Sequence, residues 1–114
     1  MTLFLIACVE DQIVSVLTFA GESKKRKEHV GEFGITVKKE FWGLGIGNLM
    51  MESLINWAKE TKLIRKINLV VQTNNEKAIS LYKKFNFETE GTITRDSLIN
   101  GIFYDSYIMG LQID

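Results

Sequence analysis

The chain has no proline, one cysteine, one histidine, no net charge and only short apolar runs, and each shortage excludes something. With neither proline nor a Ser/Gly-rich linker nor an internal repeat, nothing interrupts the run of elements along the chain. Cys8 alone cannot form an intramolecular disulfide, and a domain of this size without one suits a reducing, cytoplasmic setting. His29 has no cysteine or second histidine near it, so no zinc site and no metal are expected, and it reads as a turn residue, with the role of a base as the minor alternative. Fourteen Lys and Arg against fourteen Asp and Glu remove the overall pull that nucleic-acid or anionic-membrane binders carry. No nucleic-acid or membrane partner is therefore expected. The longest apolar run, Leu3 to Val9, is about a third of a bilayer span. No Lys or Arg precedes it and Glu10-Asp11 follow at once, so it reads as a buried strand and not as a leader.

What is present is the composition of a globular protein: 114 residues, 46% hydrophobic and 25% charged, which predicts a single domain over residues 1–114. Phe4 to Val9 and Ile13 to Ala20 are β-rich runs around the polar break Glu10-Asp11-Gln12, a hairpin pattern. Lys24-Lys25-Arg26-Lys27 reads as a solvated turn before a third strand, Val30 to Val37. In that strand Phe33, Ile35 and Val37 alternate with Glu32, Gly34 and Thr36, giving one apolar and one polar face. From Gly47 to Lys62 the period lengthens to about 3.6, with Met50, Met51, Leu54, Ile55 and Ala58 on one stripe of a helix. Lys66 to Gln72 is a strand again, and strand, helix, strand in this order implies a parallel pair. A short helix follows Asn75 to about Lys84. Thr92 to Ile99 and Ile102 to Gln112 then flank Asn100-Gly101, a type I′ hairpin signal. The expected fold is α/β with a mixed sheet, in the order β-β-β-α-β-α-β-β.

The most unusual stretch is the strand-to-helix passage after Val37, where Gly43, Gly45 and Gly47 are spaced two apart. Glycine costs about 1 kcal/mol in a helix interior relative to alanine, so a cluster at a helix start implies positive φ angles or a close approach of something to the backbone. Amides converging on a helix N-terminus make an anion site, and phosphate is its natural guest. The dinucleotide fingerprint would need glycine where Asn48 stands, and no Gly-Lys-Ser/Thr ending of a P-loop is present.

Val37 with Gly43-Leu-Gly-Ile-Gly47 resembles the acetyl-CoA motif Val-x-x-x-x-Arg/Gln-x-x-Gly-x-Gly of the Gcn5-related N-acetyltransferases (GNAT), with Trp42 at the usual Arg or Gln. Asn75-Glu-Lys-Ala78-Ile-Ser-Leu-Tyr82-Lys-Lys-Phe-Asn-Phe87 is similar to the family's second signature, with Asn86 at a usual Gly. The resemblance covers residues 30 to 87. It implies acetyl-CoA as co-substrate, contacted by Ile35, Val37, Trp42, Gly43, Leu44, Gly45, Ile46, Gly47, Asn48, Asn75 and Tyr82. It also implies transfer of the acetyl group to a primary amine, on a small molecule or a peptide, by direct attack in a ternary complex.

Asn75 and Tyr82 are two helical turns apart and share a face. An Asn amide can pair with pantetheine amides, and a phenol can protonate a leaving thiolate. Asn75 also reads as an N-cap, and Tyr82 as a core aromatic. Glu32 is the candidate base, while a solvent-facing strand Glu is the plain alternative. Asp105, between Tyr104 and Tyr107, could touch substrate. Family members carry a further N-terminal strand and one or two helices that wall the acceptor site. The chain is thus expected to be N-terminally short: natively minimal, a fragment, or completed by a second subunit. Phe4 to Val9 would then be an open apolar edge, which predicts a homodimer. The rival reading is a non-catalytic CoA or acyl-CoA binding module or partner subunit.

Overall fold

The computed structural model describes residues 1–114. Its elements are β1 (Thr2–Val9), β2 (Gln12–Gly21), β3 (Val30–Val37), α1 (Ile46–Thr61), β4 (Lys66–Gln72), α2 (Glu76–Lys84), β5 (Glu88–Ile99) and β6 (Ile102–Gln112), with single 3₁₀ turns at Lys25–Lys27 and Lys39–Phe41. The strand order is β1-β2-β3-β4-β6-β5 in one six-stranded sheet. This is the mixed α/β fold and the element order that the sequence pattern predicts. The chain divides into two compact units, Met1–Ile67 with Gln112–Asp114, and Asn68–Leu111.

In the first unit the β1–β2 hairpin is tighter than the three-residue polar break suggests. Val9 already pairs with Gln12, so Glu10 and Asp11 alone make the turn, at φ 50 and 65. Two left-handed residues match the right-handed twist of the strands they join. β2 and β3 pair antiparallel from Ser15↔Val37 to Gly21↔Gly31. Leu17, Phe19 and Phe33 are buried while Glu32, Gly34 and Thr36 are exposed, which is the alternation read from the sequence. The basic run 24–27 is exposed. His29 lies in the turn before β3, and its carbonyl accepts the N–H groups of Arg65 (2.8 Å) and Lys66 (3.0 Å), tying the start of β3 to the start of β4.

The centre of this unit is Phe19. Its ring lies across Gly31 so closely that a Cβ on residue 31 would stand 2.1 Å from Phe19 Cζ. The same ring meets Trp57 of α1 edge-on, with centroids 5.3 Å apart and planes at 68°. Met50, Met51, Leu54 and Ala58 of α1 are buried. Ile55 is only half-buried, so the apolar stripe is narrower than its periodicity suggests. None of the helices is long and apolar enough to cross a membrane.

In the second unit Asn75 caps α2 by accepting the Ala78 N–H at 3.3 Å. At the other end the Asn86 N–H donates to Lys83 O (2.9 Å) and the Phe87 N–H to Tyr82 O (3.1 Å). This is a Schellman closure, with Asn86 left-handed at φ 71. Asparagine is the side chain that best tolerates that conformation, which explains why it can stand where the family motif has glycine. β5 and β6 form a hairpin over Asn100 and Gly101, both at positive φ as a type I′ turn requires.

Gly31→Ala should cost about 1–3 kcal/mol by overpacking against Phe19 and lower the melting temperature by several degrees. Phe19→Leu in the same chain should recover part of that loss, so the two changes should be strongly non-additive in a thermal-denaturation cycle. Additive losses would show that the ring and residue 31 are not in contact.

Candidate functional site

Residues 37–48 lie wholly in the first unit and form one continuous feature. β3 ends at Val37, the 3₁₀ turn Lys39–Phe41 reverses the chain, and Gly43 and Gly45 adopt φ 78 and 84 before α1 begins at Ile46. An L-residue with a side chain is strained at such angles, which accounts for glycine at both. Neither glycine Cα has any atom near its missing Cβ within 4 Å, so the space in front of the turn is open. Gly45 is the N-cap and has no side chain to offer. The N–H groups of Ile46, Gly47 and Asn48 therefore receive no side-chain cap, and they combine with the helix dipole to favour an anion there.

Asn48, in the first turn of α1, has its Oδ1 buried and without a hydrogen-bond partner. A buried acceptor left unpaired costs roughly 1–3 kcal/mol. It is chemically suited to an N–H donor and not to a phosphate oxygen. Trp42, half exposed, donates its Nε1–H to Val37 O at 2.8 Å. The residue that departs from the family motif thus ties the middle of the loop back to the end of β3. Sequence reasoning missed this, since a five-residue reach from an indole to a backbone carbonyl leaves no periodic signal. Leu44 is exposed, while Ile35, Val37, Ile46, Gly47 and Asn48 are half-buried.

Glu32 is exposed on β3 and pairs across to Ala20. It stands five residues from Val37, about 17 Å along the strand, so it is not part of the glycine turn. A shallow cavity of about 290 Å³ lies at the Val37 end of the β2–β3 pair, lined by Val14, Val16, Thr36 and Lys38 among others. A larger one, about 430 Å³, is lined by Glu22, Glu28, His29 and Leu63 at the opposite end of β3 and touches none of the candidate residues.

Asn75 and Tyr82 belong to the second unit. Asn75 is exposed and its Oδ1 accepts one hydrogen bond in the helix cap, which leaves its amide N–H₂ and the second Oδ1 lone pair to meet a ligand. Tyr82 is 8% exposed, its ring centroid 6.1 Å from that of Phe87. Burial pushes its phenol above the ordinary value; a tyrosine hydroxyl is protonated at neutral pH with or without that shift and can act as a hydrogen-bond donor. Asp105 accepts the Arg95 N–H on Oδ1 at 2.9 Å. No group of three or more His, Cys, Asp or Glu side chains is placed to hold a metal ion.

Comparison with known proteins bears on this geometry. The chain is 34% identical over 105 residues to an L-amino acid N-acetyltransferase, AaaT, of Escherichia coli (strain K12), an alignment covering 92% of this chain and 65% of that protein. It is 30% identical over 78 residues to the spermidine N(1)-acetyltransferase of the same organism, covering 68% of this chain and 42% of that one. The chain thus spans less than two thirds of these relatives' length. Among solved structures, an acetyltransferase of the GNAT family from Streptococcus pneumoniae superposes with a TM-score of 0.94 at 33% identity, over 99% of this chain and 67% of that one. YncA of Salmonella typhimurium, described with its cofactor acetyl-CoA, shares the fold at a TM-score of 0.83 and 19% identity, over 90% of this chain and 60% of that one. The sequence model of the acetyltransferase (GNAT) family itself matches residues 2–87, a span that includes the glycine turn, Asn75 and Tyr82. The chain belongs to the GNAT family of acetyltransferases.

Proposed function

We propose that the chain binds acetyl-CoA and transfers its acetyl group to a primary amine by direct attack in a ternary complex. The observation that carries this is the left-handed turn at Gly43 and Gly45 feeding an uncapped α1, a cradle suited to a pyrophosphate. Open space in front of both glycines and the unpartnered Asn48 Oδ1, which can take an amide N–H, fit the same ligand. Asn75, through its amide, and Tyr82, through its phenol, are further ligand contacts in this reading. Acetyl-CoA supplies an activated thioester when bound, and everything else falls to the chain's own side chains.

Those roles follow from protonation and distance. Glu32 is separated from the glycine turn by about the length of an extended pantetheine arm, which favours it as the group that takes the proton from the attacking amine, directly or through water. Tyr82, whose phenol is protonated at neutral pH, gives its proton to the departing sulfur. The relatives' names point to amino acids or polyamines as acceptor classes. The setting is cytoplasmic. A domain spanning residues 1–114 that holds CoA without turnover is the second reading, favoured by the plain structural roles open to Asn75 as a helix cap and Glu32 as an exposed strand residue.

Self-association belongs to the same proposal. β1 is an edge strand of the sheet, with Phe4 62% and Ile6 47% exposed. Exposed apolar edges pair with other chains unless covered, and a second copy is the cover proposed. Light scattering at micromolar concentration should report a dimer, and a soluble 13.0 kDa species would refute it.

Calorimetry should detect acetyl-CoA binding, with a thermal upshift set by mass action. Gly45→Val should abolish both, because a β-branched residue at that φ strains the turn and fills the cradle. Absence of heat at millimolar acetyl-CoA would end the reading. Tyr82→Phe should lower turnover roughly 10²- to 10⁴-fold at nearly unchanged acetyl-CoA affinity. Near-normal thiol release by this variant would make Tyr82 a packing residue only. Acetyl-CoA binding without acetylation of any amine would favour the binding module.

A further inference from the structure

The β5–β6 hairpin contains a distortion that its turn does not need. The strands pair regularly through Thr92↔Tyr107 and Ile93↔Ser106 and resume at Ser97↔Tyr104, so Thr94, Arg95 and Asp96 together face the single residue Asp105. Arg95 sits in the left-handed region at φ 52, a strained state for an arginine. The strain is held in place from two sides. The Arg95 N–H donates to Asp105 Oδ1 at 2.9 Å, and the guanidinium carbon stands 4.5 Å from the centroid of the Phe103 ring. Asp105 is in turn fixed through its carbonyl, which accepts the Thr73 N–H at 3.0 Å, just past the end of β4 and two residues before the Asn75 cap. Arg65 pairs with Asp114, but no carboxylate lies within ion-pair distance of the Arg95 guanidinium.

Strained residues and multi-residue bulges persist where the surroundings over-determine them, and they gather at ligand sites. Here an aromatic face and a backbone clamp fix a planar cation without neutralising it, at the carboxyl end of β4, where open α/β sheets bind ligands. We propose that Arg95 is a carboxylate-binding residue, so that the acceptor amine of this chain also carries a carboxylate, as an amino acid does. The inference rests on the transfer reading above. A guanidinium takes a carboxylate through paired N–H···O bonds, while a polyamine meets only like charge there. Asp105 is a positioning residue, orienting Arg95 through its backbone.

The test compares common L-amino acids with their primary amides, matched in the concentration of unprotonated amine so that the carboxylate is the difference read. Arg95→Gly removes the guanidinium and relieves the left-handed strain, so this variant should melt no lower than the parent. The parent should prefer acid over amide by about tenfold or more in kcat/KM. Arg95→Gly should bring the ratio to within about twofold through KM, with amide turnover and acetyl-CoA affinity unchanged, and Arg95→Lys should restore part of it. Equal use of acid and amide by the parent overturns the proposal, as does a preference that survives in Arg95→Gly. A loss of acetyl-CoA affinity in Arg95→Gly also overturns it, by assigning the cation to the nucleotide. Titration of the same acids and amides without turnover separates the two claims. Acid-selective binding that Arg95→Gly abolishes, in a protein that acetylates nothing, sustains the carboxylate site and refutes the transferase. Acid and amide binding equally well refutes the site.

Discussion

The Phe19 ring lying over Gly31 sets the geometry of the first unit. β2 and β3 can bring a large aromatic between them only because residue 31 has no side chain, and the ring then presents its edge to Trp57 of α1. That contact, with Met51, Leu54 and Ala58 buried behind it, fixes the helix against the sheet. The helix orientation in turn decides where the amides of Ile46, Gly47 and Asn48 point. A packing constraint in the interior is thereby converted into the aim of an anion cradle at the surface.

Most of the element pattern was legible because it rests on local periodicity. β3 and β4 were bounded to the residue by the alternation of Phe33, Ile35 and Val37 and by the apolar run ending at Gln72. The first hairpin was less so. The polar break marked a hairpin, but Glu10 and Asp11, with no glycine or asparagine, gave no sign of a two-residue turn, and the pairing of Val9 with Gln12 is what shortens it. Ile55 was assigned to the helix stripe because periodicity marks a direction and not the width of the surface that covers it.

The candidate site divides in the same way. Gly43, Gly45 and Gly47 were legible because glycine is expensive in a helix start and its presence needs a reason. The reach of the Trp42 indole back to Val37, the unpaired Asn48 Oδ1 and the left-handed Arg95 were not. Each is a matter of side-chain direction or of one dihedral angle, and none repeats along the chain. Asn86 shows how a departure from a motif can preserve its physics, since both glycine and asparagine enter the left-handed region that closes α2.

The two tryptophans occupy opposite surroundings. Trp57 is half-buried against Phe19, whereas Trp42 has 54% of its surface exposed, at the edge of the glycine turn. Its indole N–H is held by Val37 O, so the ring is oriented without being shielded from water. The chain therefore carries its own optical probe: one fluorophore beside the cradle, whose emission responds to the polarity there, and a second, half-buried against Phe19, that serves as an internal standard.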